Sequence, residues 1–211
     1  MLCFWNSYDI INIESIIRDI KIRSNIIVNK FRPTSWESKV LLFKSQCSSL
    51  YGCALWRLDS SKIDRLCTDW NICCRKVLNL HPQTRSHLIH HMMGTLPIKD
   101  IIMNRMMNFF VSGLKHSCTI ISDFFKNVLL SNSSHMTTNI NTILQYLNIR
   151  SSDLFNLTKS QIKLNFESKS DEIDWRCNFI RELLSIRENQ LSVDFSKNEI
   201  NAMLEYLSTF R

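Results

Sequence analysis

Cysteines and histidines lie close together in the middle of the sequence, a combination that can bind zinc. Cys73 and Cys74 precede His87, His90 and His91, and the first and last of these histidines share a helix face at a spacing of four. Structural zinc sites normally use two pairs of ligands, each pair spaced by a few residues. Adjacent cysteines on a helix diverge instead, so the spacing argues against a metal site. We expect no metal and no cofactor.

The sequence offers no catalytic group. A Cys–His nucleophile pair needs a third, orienting acid, and no motif nominates one. Metal-dependent phosphoryl transfer relies on paired carboxylates that hold two metal ions, and this chain has no two adjacent aspartates. We therefore expect the chain as given to catalyse nothing, and to extend no primer when supplied with template, nucleotides and magnesium.

Positive charge is concentrated in the first part of the chain. Residues 1–130 contain 17 Lys and Arg against 9 Asp and Glu, whereas residues 131–211 contain 9 against 10. Such an asymmetry is typical of a domain that binds a polyanion. An ordinary basic surface with no such partner is the alternative.

Small residues interrupt the apolar stretch from residue 37 to residue 58. A helix over 36–56 would place them on one narrow strip, formed by Ser45, Ser48, Ser49 and Gly52. Small side chains allow another backbone to come close: either a second helix, or a nucleic-acid strand that receives serine hydroxyl hydrogen bonds. Cations near the strip and one helix later are the candidate phosphate contacts: Lys39, Lys44, Arg75 and Lys76.

The elements that must position these residues are predicted to be helices. Three Gly and three Pro leave few turn residues, and apolar residues recur at helical spacing. We predict an all-α, irregular helical bundle with helices over about 9–31, 36–56 and 60–77, from 86 to Gly94, and from Pro97 onward. A capping box formed by Thr34 and Glu37 should open the second of these.

The chain is predicted to fall into two parts. Residues 1–115 form a helical region and residues 116–211 a smaller helical extension, with polar linkers near 131–139 and 150–171. The extension should contain a helix over about 171–189 and another opened by the capping box Ser196–Glu199.

We also expect an exposed apolar patch on the Ile-rich first helix. Five methionines are expected to fill the core, and Trp56 and Trp70 either anchor helices or stack on bases.

Several ordered motifs resemble one protein family. The order C-x-S-L-Y-G-x-x-L-W (47–56), W-x₄-R (70–75), L-x-P-x-T (80–84), and L-P-I (96–98) followed by F-F (109–110) is similar to the region C-terminal to the polymerase core in LINE-type non-LTR retrotransposon reverse transcriptases. The segment 175–207 looks like the closing segment of such reading frames. Arg85 departs from the histidine that the family often has there, so no role is transferred to it.

The resemblance implies a helical thumb and its C-terminal extension. In such enzymes the thumb closes over the template–primer duplex, so the implied partners are an RNA–DNA or DNA duplex, bound weakly and without sequence preference, and the palm and fingers of the parent protein. The alternative is a helical protein-interaction module that binds no nucleic acid; an independent metal-dependent hydrolase is more remote.

Cysteine usage and hydropathy indicate the compartment. The eight cysteines fall mostly at helical spacing among apolar residues, which is typical of buried thiols, and no signal-peptide pattern or long apolar run is present. We expect an intracellular location, cytoplasmic or nuclear, without a membrane span.

Overall fold

The computed structural model describes residues 3–131 and 134–170, with side chains described from Asn12 onward except His87, Lys169 and Ser170. All regular structure in this part of the chain is helical, which confirms the predicted all-α class. The α-helices are α1 (Cys3–Lys30), α2 (Trp36–Cys47), α3 (Ser61–Leu78), α4 (Ser86–Met93), α5 (Ile98–Leu114), α6 (Thr119–Leu130), α7 (His135–Leu147) and α8 (Lys159–Ser170). Short 3₁₀ helices span Cys53–Leu55 and Ser151–Asn156.

The helix boundaries follow from identifiable capping residues. Gly94 ends α4 in the left-handed conformation, as predicted, and its N–H donates to the carbonyls of His90 and His91. Asn148 ends α7 in the same way. The capping box at α2 is predicted one residue too early: Ser35 is the N-cap and its hydroxyl accepts from the N–H of Ser38. The Thr34 hydroxyl instead donates to the carbonyl of Phe31, at 2.7 Å.

The predicted extent of α2 is wrong at its C-terminal end. The helix stops at Cys47, and Gly52 adopts a left-handed backbone with φ of 77° before the 3₁₀ helix Cys53–Leu55. Ser45 lies on α2, but Ser48 caps its end and Gly52 follows in a turn. The four small residues therefore do not share one helix face. The helix has already ended at Ser48, and Gly52 turns the chain into the 3₁₀ helix, a conformation that glycine adopts readily. The apolar residues on both sides conceal this irregular stretch in the sequence.

Both segments predicted as polar linkers contain helices. The first overlaps α7, which begins at His135, and the second contains the 3₁₀ helix Ser151–Asn156 and α8. Thr137, Asn139, Leu154 and Ile162 are all buried there. Their neighbours in the sequence are mostly polar, so the burial of these four residues cannot be predicted without knowledge of the tertiary contacts. The helices predicted over 171–189 and after Ser196 lie outside the described residues.

The contacts divide the described chain into two compact units that interleave along the sequence. The first unit contains residues 50–64 and 98–170, and the second contains residues 12–49 and 65–97. Both α5 and α6 belong to the first unit. The functional division predicted between residues 115 and 116 stays a prediction.

Helix α5 is the central element of the first unit. It packs against the 3₁₀ helix Cys53–Leu55 and against α6, α7 and α8. Its core face is rich in methionine, and the five predicted core methionines are all buried: Met92 and Met93 in the second unit, and Met103, Met106 and Met107 in the first. Unbranched methionine fills the irregular space among helices that cross at different angles.

The second unit is built on α1, α2 and α3. An ion pair joins Lys21 to Asp69 at 2.7 Å, and the Lys76 ammonium donates to the amide oxygen of Asn25 at 3.1 Å. In the second contact, the residue of α1 and the residue of α3 both lie further along the chain than in the first. The two helices therefore run side by side and parallel. The ring of Phe43, on α2, packs against Trp70 of α3 with centroids 4.9 Å apart. Trp56 and Trp70 are both buried, which rules out base stacking for them.

Candidate nucleic-acid interface

The described part of the second unit carries a larger excess of positive charge than that of the first unit. Residues 12–49 and 65–97 contain 11 Lys and Arg against 4 Asp and Glu. The first unit, over 50–64 and 98–170, contains 10 against 6. All four cations predicted from the sequence, Lys39, Lys44, Arg75 and Lys76, lie in the second unit. The fold therefore places the candidate phosphate contacts in one compact body.

Lys39 lies where the chain turns from α1 into α2. Its ammonium donates to the carbonyl oxygen of Arg32 at 3.2 Å, across seven residues of sequence. This contact brings Lys39 beside the exposed segment that contains Lys30 and Arg32. The exposed Lys30 and Arg32 and the half-buried Lys39 thus belong to one segment of the second unit, residues 30–39.

Lys44 reaches a different place. Its ammonium donates to the carbonyl oxygen of Gly94 at 3.2 Å, at the C-terminal end of α4. A cation at a helix C-terminus interacts favourably with the helix dipole and with the last carbonyl groups. This contact connects α2 to α4. Lys44 is half-buried, so only part of its side chain is exposed to solvent.

Arg75 has a largely structural role. Its guanidinium donates to the carbonyl oxygen of Thr84 from Nε at 3.0 Å and from Nη2 at 2.7 Å, and to the Ser86 hydroxyl at 3.2 Å. Burial lowers the pKa of Arg75 from its ordinary value. The side chain is half-buried and fixes the loop that joins α3 to α4. These bonds use the donors of Nε and Nη2, so only Nη1 is left to bind a phosphate.

The four cations share one electrostatic property. Each donates a hydrogen bond to a neutral oxygen: a backbone carbonyl for Lys39, Lys44 and Arg75, and an amide for Lys76. For Lys39 and Lys76, a neutral acceptor positions the cation without neutralising its charge. Lys76 is exposed, whereas Lys39, like Lys44 and Arg75, is half-buried. The single hydrogen bonds of Lys39 and Lys76 are themselves exposed, so a phosphate could replace them without opening the fold.

Carboxylates compensate other cations of the second unit. Asp69 lies 2.7 Å from the Lys21 ammonium and 3.9 Å from the Arg65 guanidinium, which also approaches Glu14 at 3.6 Å. Within the described residues, Lys30, Arg32 and Lys39 have no such ion pair. Lys30 and Arg32 are not among the candidates predicted from the sequence. The basic run on either side of Phe31, just before Pro33, is the signal that could have identified them.

The small residues serve local structure. The Ser45 hydroxyl donates to the carbonyl of Leu42 at 2.9 Å, which is a bond within α2. Gly52 provides the left-handed turn before the 3₁₀ helix. No common surface of Ser45, Ser48, Ser49 and Gly52 follows from these positions, and close packing by them stays a prediction.

Burial keeps the cysteines of this region protonated. Cys47, Cys73 and Cys74 are buried, and burial raises the pKa of all three, that of Cys47 to about 12. Thiolates, not thiols, are the nucleophiles and the metal ligands. In the described part of the chain, no three His, Cys, Asp or Glu side chains are grouped to hold a metal ion.

Comparisons with protein-family models, curated proteins and solved structures find no match for this chain. Over the described residues, every helix is too short or too polar to cross a lipid bilayer.

Proposed function

We propose that this chain binds duplex nucleic acid through phosphate contacts, as the non-catalytic C-terminal part of a LINE-type RNA-directed DNA polymerase. The observation that carries the proposal is the segment 30–39 of the second unit: Lys30 and Arg32 are exposed, Lys39 donates to the backbone of Arg32, and none of the three forms an ion pair within the described residues. Arg and Lys contacts to phosphate position a duplex without reading its sequence. The binding is therefore weak, tolerant of sequence and steeply dependent on salt.

Salt dependence tests the proposal directly. Affinity of the full chain for a labelled B-form DNA duplex is measured by fluorescence anisotropy between about 50 and 200 mM KCl, a range over which phosphate-dominated affinity falls strongly. The double variant Arg32→Ala/Lys39→Ala removes two contacts, so it should weaken binding and reduce the slope of log affinity against log salt by about 1.8. An RNA–DNA hybrid serves as the second probe.

The matched control is Lys159→Ala/Lys163→Ala, which removes two exposed lysines of α8 in the first unit. It should leave the slope close to that of the unchanged chain. Equal effects of the two double variants, or binding that ignores salt, would contradict the proposal.

A helical protein-interaction module is the second candidate. Ile22 and Ile26 are compatible with it, because they lie one turn apart on α1 and are exposed. Exposed apolar side chains on one helix face are typical of helix-mediated contacts between proteins. Under this alternative, Ile22→Asp/Ile26→Asp abolishes partner binding while Arg32→Ala/Lys39→Ala has no effect.

A further inference from the structure

Helix α6 has an outer face that is unusually apolar for a surface helix. Ile120 is 79% exposed, Phe124 57% and Leu130 81%, and Ile121 is also exposed. Ile120 and Phe124 lie one turn apart and form the centre of this face. Phe109 of α5, in the same unit, is exposed as well and contacts Phe125 of α6 at a ring-centroid distance of 5.5 Å.

The inner face of α6 attaches the helix to α5. The Ser122 hydroxyl donates to the carbonyl of Leu114 at 2.8 Å, and the ring of Phe125 packs edge-on against Phe110 at 5.4 Å. Both residues are buried. Phe124 contacts the ring of Phe125 at 5.5 Å but stays more than half exposed, and Ile120 and Leu130 are more exposed still. The apolar character of this outer face therefore points to a contact outside the unit.

The charges along one edge of this face indicate what the contact is. Asp123 and Lys126 are exposed and form an ion pair at 2.9 Å, separated by three residues. In a two-fold symmetric contact, residue i of one copy meets residue j of the other and the reverse. Two antiparallel α6 helices related by an axis near Phe124 would set each Asp123 against the partner's Lys126. The edge is therefore complementary to itself.

We propose that the outer face of α6 pairs antiparallel with the same face of a second copy of this chain. Phe124 lies at the centre, next to the symmetry axis, and Ile120 and Ile121 extend the apolar contact on both sides. The two Asp123–Lys126 pairs fix the antiparallel direction. The proposal is independent of nucleic-acid binding, which belongs to the other unit.

Sedimentation of the full chain tests this pairing. The unchanged chain should show a concentration-dependent monomer–dimer equilibrium, and Phe124→Asp should weaken it at least about tenfold, because each dimer would bury two carboxylates at its centre. Leu164→Asp is the matched control: it places the same charge at an exposed leucine of α8, and should leave the equilibrium unchanged. Circular dichroism establishes that each variant keeps its helix content.

Charge reversal tests the direction of pairing. Asp123→Lys gives a chain with two lysines on this edge, and Lys126→Asp gives a chain with two aspartates. Each variant alone should dimerise several-fold more weakly, and an equimolar mixture should recover dimers, measured by energy transfer between labelled copies. A strictly monomeric unchanged chain, or dimers that ignore Phe124→Asp, would overturn the proposal. A mixture no stronger than its components would overturn the antiparallel arrangement.

Discussion

The side-chain amide of Asn139 holds the backbone on both sides of Trp56 in a buried position of the first unit. Its Nδ2 donates to the carbonyl oxygen of Trp56 at 2.7 Å, and its Oδ1 accepts from the N–H of Leu58 at 3.1 Å. These bonds join residues more than 80 positions apart in sequence. They connect α7 to the loop that follows the 3₁₀ helix Cys53–Leu55, and satisfy two backbone groups that have no regular partner.

Replacing Asn139 by alanine should cost about 2–4 kcal/mol of unfolding free energy, because one buried carbonyl and one buried N–H lose their partner together. Urea unfolding followed by circular dichroism measures this change. Asn141→Ala is the matched control, since it alters an exposed asparagine of the same helix. A loss no larger than that of Asn141→Ala would show that water replaces both bonds.

The contrast between Asn139 and Gly94 explains how far the sequence could predict this structure. Gly94 acts through its own backbone conformation and follows an apolar helical pattern, so the end of α4 is readable from neighbouring residues. Asn139 looks like part of a polar linker because its partners, at Trp56 and Leu58, are distant in sequence. Local patterns predict helices well, whereas buried polar contacts arise only after the helices pack.

The candidate nucleic-acid interface could likewise be predicted only in part from the sequence. Positive charge is a property of composition, so its concentration before residue 130 is visible in the sequence. Whether a given cation is held by other groups of the protein or is accessible to a phosphate depends on tertiary contacts, such as that of Lys44 with Gly94. The sequence could not distinguish Arg75, which fixes a loop, from the adjacent Lys76.

Gly113 should not tolerate alanine. Any Cβ atom at this position of α5 would overlap the ring of Phe125 on α6. The ring is buried and packed against Phe109 and Phe110, so it cannot move aside freely. Overpacking of this kind costs about 1–3 kcal/mol, partly offset by the roughly 0.5–1 kcal/mol that alanine gains over glycine in a helix.

Thermal unfolding measures the effect of Gly113→Ala, with Ser112→Ala on the preceding, half-buried position as control. The glycine variant should have the lower Tm. If Gly113→Ala instead stabilises the chain, helix propensity dominates and the close approach of Phe125 is not a constraint.

Arg75 and Lys76 are adjacent on α3 but should behave differently. Arg75→Ala removes the charged hydrogen bonds to Thr84 and Ser86 from a half-buried side chain, so we expect a loss of about 1.5–3 kcal/mol of unfolding free energy. Lys76→Ala removes an exposed bond to Asn25 and should change stability by less than about 0.5 kcal/mol.

Duplex binding should give the opposite order for these two residues. Lys76→Ala removes a phosphate contact and flattens the salt slope by about 0.9, whereas Arg75→Ala, measured where the variant is folded, leaves the slope unchanged. Equal slopes for the two variants would mean that Lys76 makes no phosphate contact.

Alkaline pH should destabilise the chain through its buried thiols. The pKa of Cys47 rises from 9.0 to about 12 on folding because burial disfavours the thiolate. Above pH 9 the unfolded chain therefore releases a proton that the folded chain keeps, so the stability contributed by this thiol is complete below pH 9 and is lost as pH rises toward 12. One such proton lowers the unfolding free energy by up to about 1.4 kcal/mol per pH unit.

Urea unfolding between pH 8 and about 10.5, in the presence of reductant, measures this dependence. Cys47→Ala should be less stable than the unchanged chain at pH 8, because a buried side chain is truncated. Its stability should nevertheless fall less steeply above pH 9, by up to about 1.4 kcal/mol per pH unit, because one of the linked protons is gone. Cys118→Ala, which alters an exposed thiol, should follow the unchanged chain at every pH. Parallel curves for Cys47→Ala and the unchanged chain would mean that Cys47 ionises alike in both states, and that its burial does not govern the alkaline loss of stability.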